Sequence, residues 1–205
     1  ITYGPYRGSS QAEDAAAAKR IRVHYEHNEV HVVATSAVRE IEVSLWGNVN
    51  VEEHLDVRHV GATLDGYFSR LDHSSREPST MLDSMRASLP SGASQLYYRD
   101  ALGNVSTSSV YRTGDSTFLD LKFRFPIYGG WHNEWYQGYN LPLGTYLRRA
   151  GGGGDRYLFE YDLGLPFKDL VTERLVVKLV LPSGASNVKV ERPSANAYPG
   201  MKVTV

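Results

Sequence analysis

Between Ile41 and Val57 the odd positions Ile41, Val43, Leu45, Val49, Val51, Leu55 and Val57 are apolar, and most even positions are polar. A period of two sends successive side chains to opposite faces of an extended chain, so this stretch predicts a half-buried strand and excludes an amphipathic helix. The stretch is one long strand, or a strand bent near Trp46, Gly47 and Asn48. Glu53 shares the odd, apolar face. A carboxylate there is expected at a barrel edge or an interface, satisfied locally rather than catalytic, since no partner acid is identifiable.

The same alternation recurs at Leu119, Leu121, Phe123 and Phe125, at Tyr157, Phe159, Tyr161 and Leu163, and at Leu175, Val177, Leu179 and Leu181. Val176 and Val180 add apolar groups to the second face of the last run, which predicts a strand in the middle of a sheet. One helix is predicted from about Pro78 to Leu89, on the spacing of Met81, Leu82, Met85 and Leu89 and on Pro78 at its start. The expected fold is mainly β, an antiparallel β-sandwich with one short helix and long loops.

The hexapeptide LPSGAS occurs at Leu89 to Ser94 and again at Leu181 to Ser186. The flanks differ, so a shared turn explains it better than a domain repeat: proline sets φ and glycine supplies positive φ. Residues 8–19 are small and polar, which makes 1–19 a linker or N-terminal extension and 20–205 the folded domain. Gly151 to Gly154 is expected to be a mobile loop, and no phosphate-loop lysine follows it.

Twenty-two basic and 23 acidic residues nearly cancel, and no basic cluster interleaves with aromatics, so no nucleic-acid partner is expected. The chain has no cysteine, which excludes disulfides and thiolate metal sites. No run reaches the roughly 18 apolar residues of a membrane span. His24, His27 and His31 invite a metal, but a strand over Ile21 to Tyr25 puts His24 and His27 on opposite faces. No Gly-x-Ser-x-Gly elbow is present. No catalytic residue, cofactor or metal ligand is therefore assigned.

Phe125 to Pro142 reads FPIYGGWHNEWYQGYNLP. Trp131, Trp135, Tyr136 and Tyr139 suit either a packing hairpin, with Trp131 buried beside Gly129 and Gly130, or an exposed platform that stacks a sugar or peptide. Trp131, Trp135 and Tyr139 recur every fourth residue, which is read as an irregular segment rather than a clean strand. His132 and Glu134 are expected to be exposed polar positions, and an enzymatic reading would need them to converge with Glu53. Asn104-Val105-Ser106 is an N-glycosylation acceptor sequence after the turn Asp100 to Gly103.

RIRVHYEHNEV (Arg20 to Val30), EIEVSLWGNVNVEEHLDVRHVGATLDGYFSRLD (Glu40 to Asp72), LYYRDALGNVSTS (Leu96 to Ser108), FRFPIYGGWHNEWYQGYNLP (Phe123 to Pro142) and LVVKLVLPSGASNV (from Leu175) together resemble the ribophorin I family, in the same order. The resemblance implies a non-catalytic subunit of the eukaryotic oligosaccharyltransferase, whose family pattern is a signal peptide, two lumenal β-rich domains, one transmembrane helix and a cytosolic tail. The chain then corresponds to the second lumenal domain, 20–205, of an endoplasmic-reticulum membrane protein. Its implied partners are the other subunits, including the separate metal-dependent catalytic one, and nascent glycoprotein clients. Membrane attachment would come only from a helix outside this sequence. Asn104 aligns with a family acceptor site. The sequence departs from the family pattern at His27 to Ala34, at Gly151 to Gly154 and at about Arg192 to Val205.

Overall fold

A computed structural model describes residues 25, 29–75, 80–151, 155–168, 170–191, 202 and 204. The expectations for 1–19, for a strand at Ile21 to Tyr25, for His24 and His27, and for Gly152 to Gly154 lie outside these.

Ile41 to Val57 is two strands rather than one. β1 (Val32–Val43) and β2 (Asn48–His59) pair antiparallel from Val43↔Val49 to Val32↔His59. The chain reverses at Ser44 to Gly47, where Ser44 N–H donates to the Asn48 carbonyl and Gly47 adopts φ +90°. The odd-position alternation persists through the reversal because the register places Ile41 opposite Val51, apolar against apolar.

The predicted helix over 78–89 is a strand from Met81 onward. β3 (Met81–Pro90) carries Ala87 and Leu89 into the core, with Asp83, Ser84, Arg86 and Ser88 exposed. The alternation of Met85, Ala87 and Leu89 with polar neighbours satisfies a period of two as well as helical spacing, and pairing with the next sheet strand decides between them. Helix forms instead at α1 (Arg70–Ser75).

After β3 come β4 (Ser94–Asp100), β5 (Gly103–Asn104), β6 (Ser109–Thr113), β7 (Ser116–Tyr128) and β8 (His132–Pro142). A 3-10 turn at Leu143–Thr145 precedes β9 (Leu147–Arg149), β10 (Tyr157–Phe159), β11 (Val171–Thr172) and β12 (Leu175–Val180). The large sheet has the order β11-β1-β2-β8-β4-β5, with β12 also on β1; β3-β7-β6 forms a second sheet and β10-β9 a third. The strand expected over Tyr157 to Leu163 ends at Phe159.

Leu119, Leu121 and Phe123 of β7 pack against Val51, Leu55, Trp135 and Tyr139 of the large sheet, making a β-sandwich core. Phe123 and Trp135 meet with ring centroids 5.1 Å apart. The arrangement is not wholly antiparallel, because β11 and β12 run parallel to β1. β12 also lies at the border of the sheet and not in its middle, and Lys178, Leu179 and Val180 are exposed. Its second apolar face is covered only in part, so apolar residues on both faces did not signal a central strand. The two LPSGAS copies close the same bond: Ala93 N–H to the Pro90 carbonyl and Ala185 N–H to the Pro182 carbonyl. Both follow strands, and only Gly184 of the two glycines has positive φ.

Candidate functional site

FPIYGGWHNEWYQGYNLP is regular strand on both sides of one turn. β7 runs to Tyr128, Gly129 and Gly130 make the turn, and β8 lies between β2 and β4. Gly129 sits against the loop after β2, where a Cβ would collide with the Ala62 carbonyl. Recurrence every fourth residue is compatible with a strand, because positions i and i+4 share a face. Trp135 and Tyr139 accordingly point inward and are 3% and 1% exposed. Trp131, expected to be buried, is 38% exposed and stands at the strand's mouth against Phe68 and Tyr128. With Trp135 and Tyr139 in the core, the platform of Trp131, Trp135 and Tyr139 does not exist as a surface.

Inside the sandwich one row crosses four strands: Arg39↔Glu53↔Gln137↔Tyr98. Every member is buried. Arg39 Nε lies 3.2 Å from Glu53 Oε1, an ion pair without hydrogen-bond alignment, and Gln137 donates to the other Glu53 oxygen at 2.8 Å. Arg39 also donates to the Tyr139 and Tyr161 hydroxyls, each at 3.2 Å. Burial drives the Glu53 carboxyl above its ordinary value, with Arg39 and Gln137 opposing. Glu53 is therefore paired locally, one oxygen hydrogen-bonded by Gln137 and the other held by the Arg39 charge alone, and it lies at the centre of the sheet rather than at an edge. His132 and Glu134 are exposed, as expected, and their register partners are Arg58 and Asp56. Even-numbered in β8, they face away from Glu53, so the three do not converge.

The opposite, outer face of the large sheet is polar and aromatic. Register assembles it in rows, because residues directly opposite one another share a face. One row is Glu40↔Glu52↔Gly138↔Tyr97; the next is Val38↔His54↔Tyr136↔Arg99↔Asn104. Gly138 organises the first, since a Cβ there would overlap the Tyr97 ring. Without that Cβ, Tyr97 crosses β8 and its hydroxyl donates to Glu52 on β2. His54 bonds the other Glu52 oxygen at 2.7 Å. Burial works to raise the Glu52 carboxyl, but the Tyr97 and His54 bonds outweigh it and hold it below the ordinary glutamate value. In the second row His54 and Tyr136 stack with centroids 5.1 Å apart, and Arg99 lies over Tyr97 while donating to the Tyr136 hydroxyl at 3.4 Å. Glu52, His54, Tyr97, Arg99 and Tyr136 line a shallow open depression. Among the described residues no group of three or more His, Asp or Glu is placed to hold a metal ion.

The family model of ribophorin I matches residues 1–202. The chain belongs to the ribophorin I family. It is 41% identical over 201 residues to dolichyl-diphosphooligosaccharide–protein glycosyltransferase subunit 1 of Caenorhabditis elegans, covering 95% of this chain and 33% of that protein. It is also 41% identical over 198 residues to subunit 1A of Arabidopsis thaliana, covering 95% and 31%. The chain thus spans about a third of the length of these ribophorin I relatives. An M1 zinc metallopeptidase from Deinococcus radiodurans matches at a TM-score of 0.42 and 13% identity, over 78% of this chain and 36% of that one, a likeness too slight to bear on function.

In this ribophorin I chain Asn104 is exposed on β5, just beyond the reversal at Ala101 and Leu102. Val105 beside it is buried and donates its N–H to the Tyr98 carbonyl. Arg124 donates to the Asn104 carbonyl at 3.3 Å and pairs with Asp100 at 2.7 Å, which fixes the backbone of the acceptor sequence. Tyr97, Arg99, Glu52 and His54 are not singled out by sequence, because they sit on two strands distant in sequence, β4 and β2, and no local motif joins them. The available signal was Gly138, a glycine within an aromatic strand, which marks a close approach.

Proposed function

We propose that this chain is the second lumenal domain of an oligosaccharyltransferase subunit, with 1–19 as the linker before it and 20–205 as the domain. It is non-catalytic and supports N-glycosylation in the endoplasmic reticulum by holding other subunits, including the catalytic one, or nascent glycoprotein clients. Asn104 carries an N-glycan. Family membership supports the complex. The observation that carries the non-catalytic reading is the commitment of Glu53, the most deeply buried carboxylate among the described residues, to Arg39 and Gln137, away from His132 and Glu134. An acid held that way has no open path to a substrate.

The test is made in the full-length subunit. Deleting 20–205 should release at least one other subunit on purification or lower acceptor-site occupancy of reporter glycoproteins. Turnover of a lipid-linked oligosaccharide by this chain alone, abolished by a point substitution within it, would overturn the non-catalytic reading.

A further inference from the structure

The row containing Asn104 continues across the outer face as Arg99, Tyr136 and His54. Adjacent strands lie about 4.8 Å apart, so Arg99 stands one spacing from Asn104 and Tyr136 two, at roughly 10 Å. Asn104 and Arg99 point to the same side, because their neighbours Val105 and Tyr98 are both buried on the other. A sugar attached to Asn104 therefore leaves the chain directly beside Arg99 at the border of the polar-aromatic face.

We propose that this face is the seat of the chain's own glycan: the N-acetylglucosamine residues next to Asn104 lie across Arg99 and Tyr136. This rests on glycosylation of Asn104. The chemistry of the row fits that occupant. Arg99 is exposed, and among the described residues no carboxylate lies within ion-pair distance of it; it touches the Tyr97 ring, makes one long bond to the Tyr136 hydroxyl, and feels Glu52 only as a more distant charge. A guanidinium has five N–H donors, so several remain for the acetamido carbonyl and hydroxyls of the sugar. A guanidinium face is weakly hydrated and can also pack on the C–H face of a sugar ring, and Arg99 stands 5.7 Å from the centre of the Tyr97 ring. Tyr136 is held upright by His54 behind it, and Arg124 fixes the Asn104 backbone, so the attachment point and the seat are both preorganised.

The whole 205-residue chain, made through a secretory pathway, is compared with Arg99→Ala, Tyr136→Ala and Asn104→Gln. Intact mass before and after endoglycosidase treatment measures occupancy. The rate of release from the native protein and the melting temperature then measure the seat. At equal occupancy, release from the wild type should be several-fold slower than from Arg99→Ala or Tyr136→Ala. The glycan should raise the wild-type melting temperature by about 2–4 °C over Asn104→Gln, the shift that one modest contact set gives in a domain of this size, and raise the two variants much less. Arg99 is exposed, so Arg99→Ala folds even where Tyr136→Ala does not. Equal release rates and equal glycan-dependent shifts in wild type and Arg99→Ala would overturn the seat and leave glycosylation standing. An unshifted wild-type mass would overturn glycosylation, and the seat with it.

Discussion

Gly138 shows how one missing side chain shapes the outer face. It is the one place where Tyr97 can cross β8 to reach Glu52, and a Cβ there meets the ring. Gly138→Ala should therefore cost about 1–3 kcal/mol, the usual penalty of overpacking, in denaturant unfolding. Gly144→Ala is the control, since nothing lies within 4 Å of a Cβ at that position. Arg39 and Glu53 make a second residue-scale case. Glu53→Leu leaves a buried cation and should cost about 3–5 kcal/mol, whereas Arg39→Met combined with Glu53→Leu should recover most of that loss. A double variant no more stable than the single one would show that the pair is not the reason. His59 gives the pH dependence. It is buried, with Nδ1 accepting from Gly61 N–H at 3.0 Å, and burial lowers its pKa below the ordinary histidine value. Below about pH 6.5 the unfolded chain binds a proton that the folded chain resists, so stability should fall as the pH drops from there. Melts across pH 5 to 8 should show that slope in the wild type and a flatter one in His59→Leu.

At the scale of elements, β8 carries its aromatics on two faces and at one end, and their depth predicts their energetic weight. Trp135 is enclosed by Phe123 and Phe167, so Trp135→Ala should cost about 3–5 kcal/mol. Trp131, open at the strand's mouth, should lose less than half as much, and equal losses in calorimetry would contradict the placement. β3 shows why this weight is hard to read locally. Ser84 to Leu89 satisfies strand and helix periods alike, and only the ladder to β7 selects the strand. The hairpin of β1 and β2 is the converse case: its apolar positions are legible, but the pattern points to one long strand or a bent one rather than a reversal, because Leu45 continues the odd positions while lying 80% exposed in the turn.

For the whole molecule, sheet order sets the order of opening. β2 and β8 are paired on both sides and bury their inner faces against β7, whereas β6 is exposed along its whole length and β12 has one paired neighbour. Amide hydrogen exchange should be slowest in β2 and β8 and fastest in β6, β9 and β10. Slow exchange in β6 would mean that the second sheet is anchored by contacts other than those to β7.

Local pattern alone determined the β class, the extended character of 41–43, 49–57 and 119–123, the turns at the two LPSGAS copies and the exposure of His132, Glu134 and Asn104. Each depends on properties that adjacent residues express by themselves, namely side-chain alternation, proline φ and glycine freedom. The tertiary structure decided the rest: that β3 is a strand, that β12 is peripheral, that Trp131 is open while Trp135 and Tyr139 are enclosed, and that Glu53 meets Arg39 and Gln137. It also placed Asn104 beside Arg99, in one row with Tyr136. These outcomes depend on which strands become neighbours and in what register, and the partners lie far apart in sequence, Arg39 and Tyr139 by 100 residues and Arg39 and Tyr161 by 122. A residue's own neighbours in sequence cannot express a contact made at that distance.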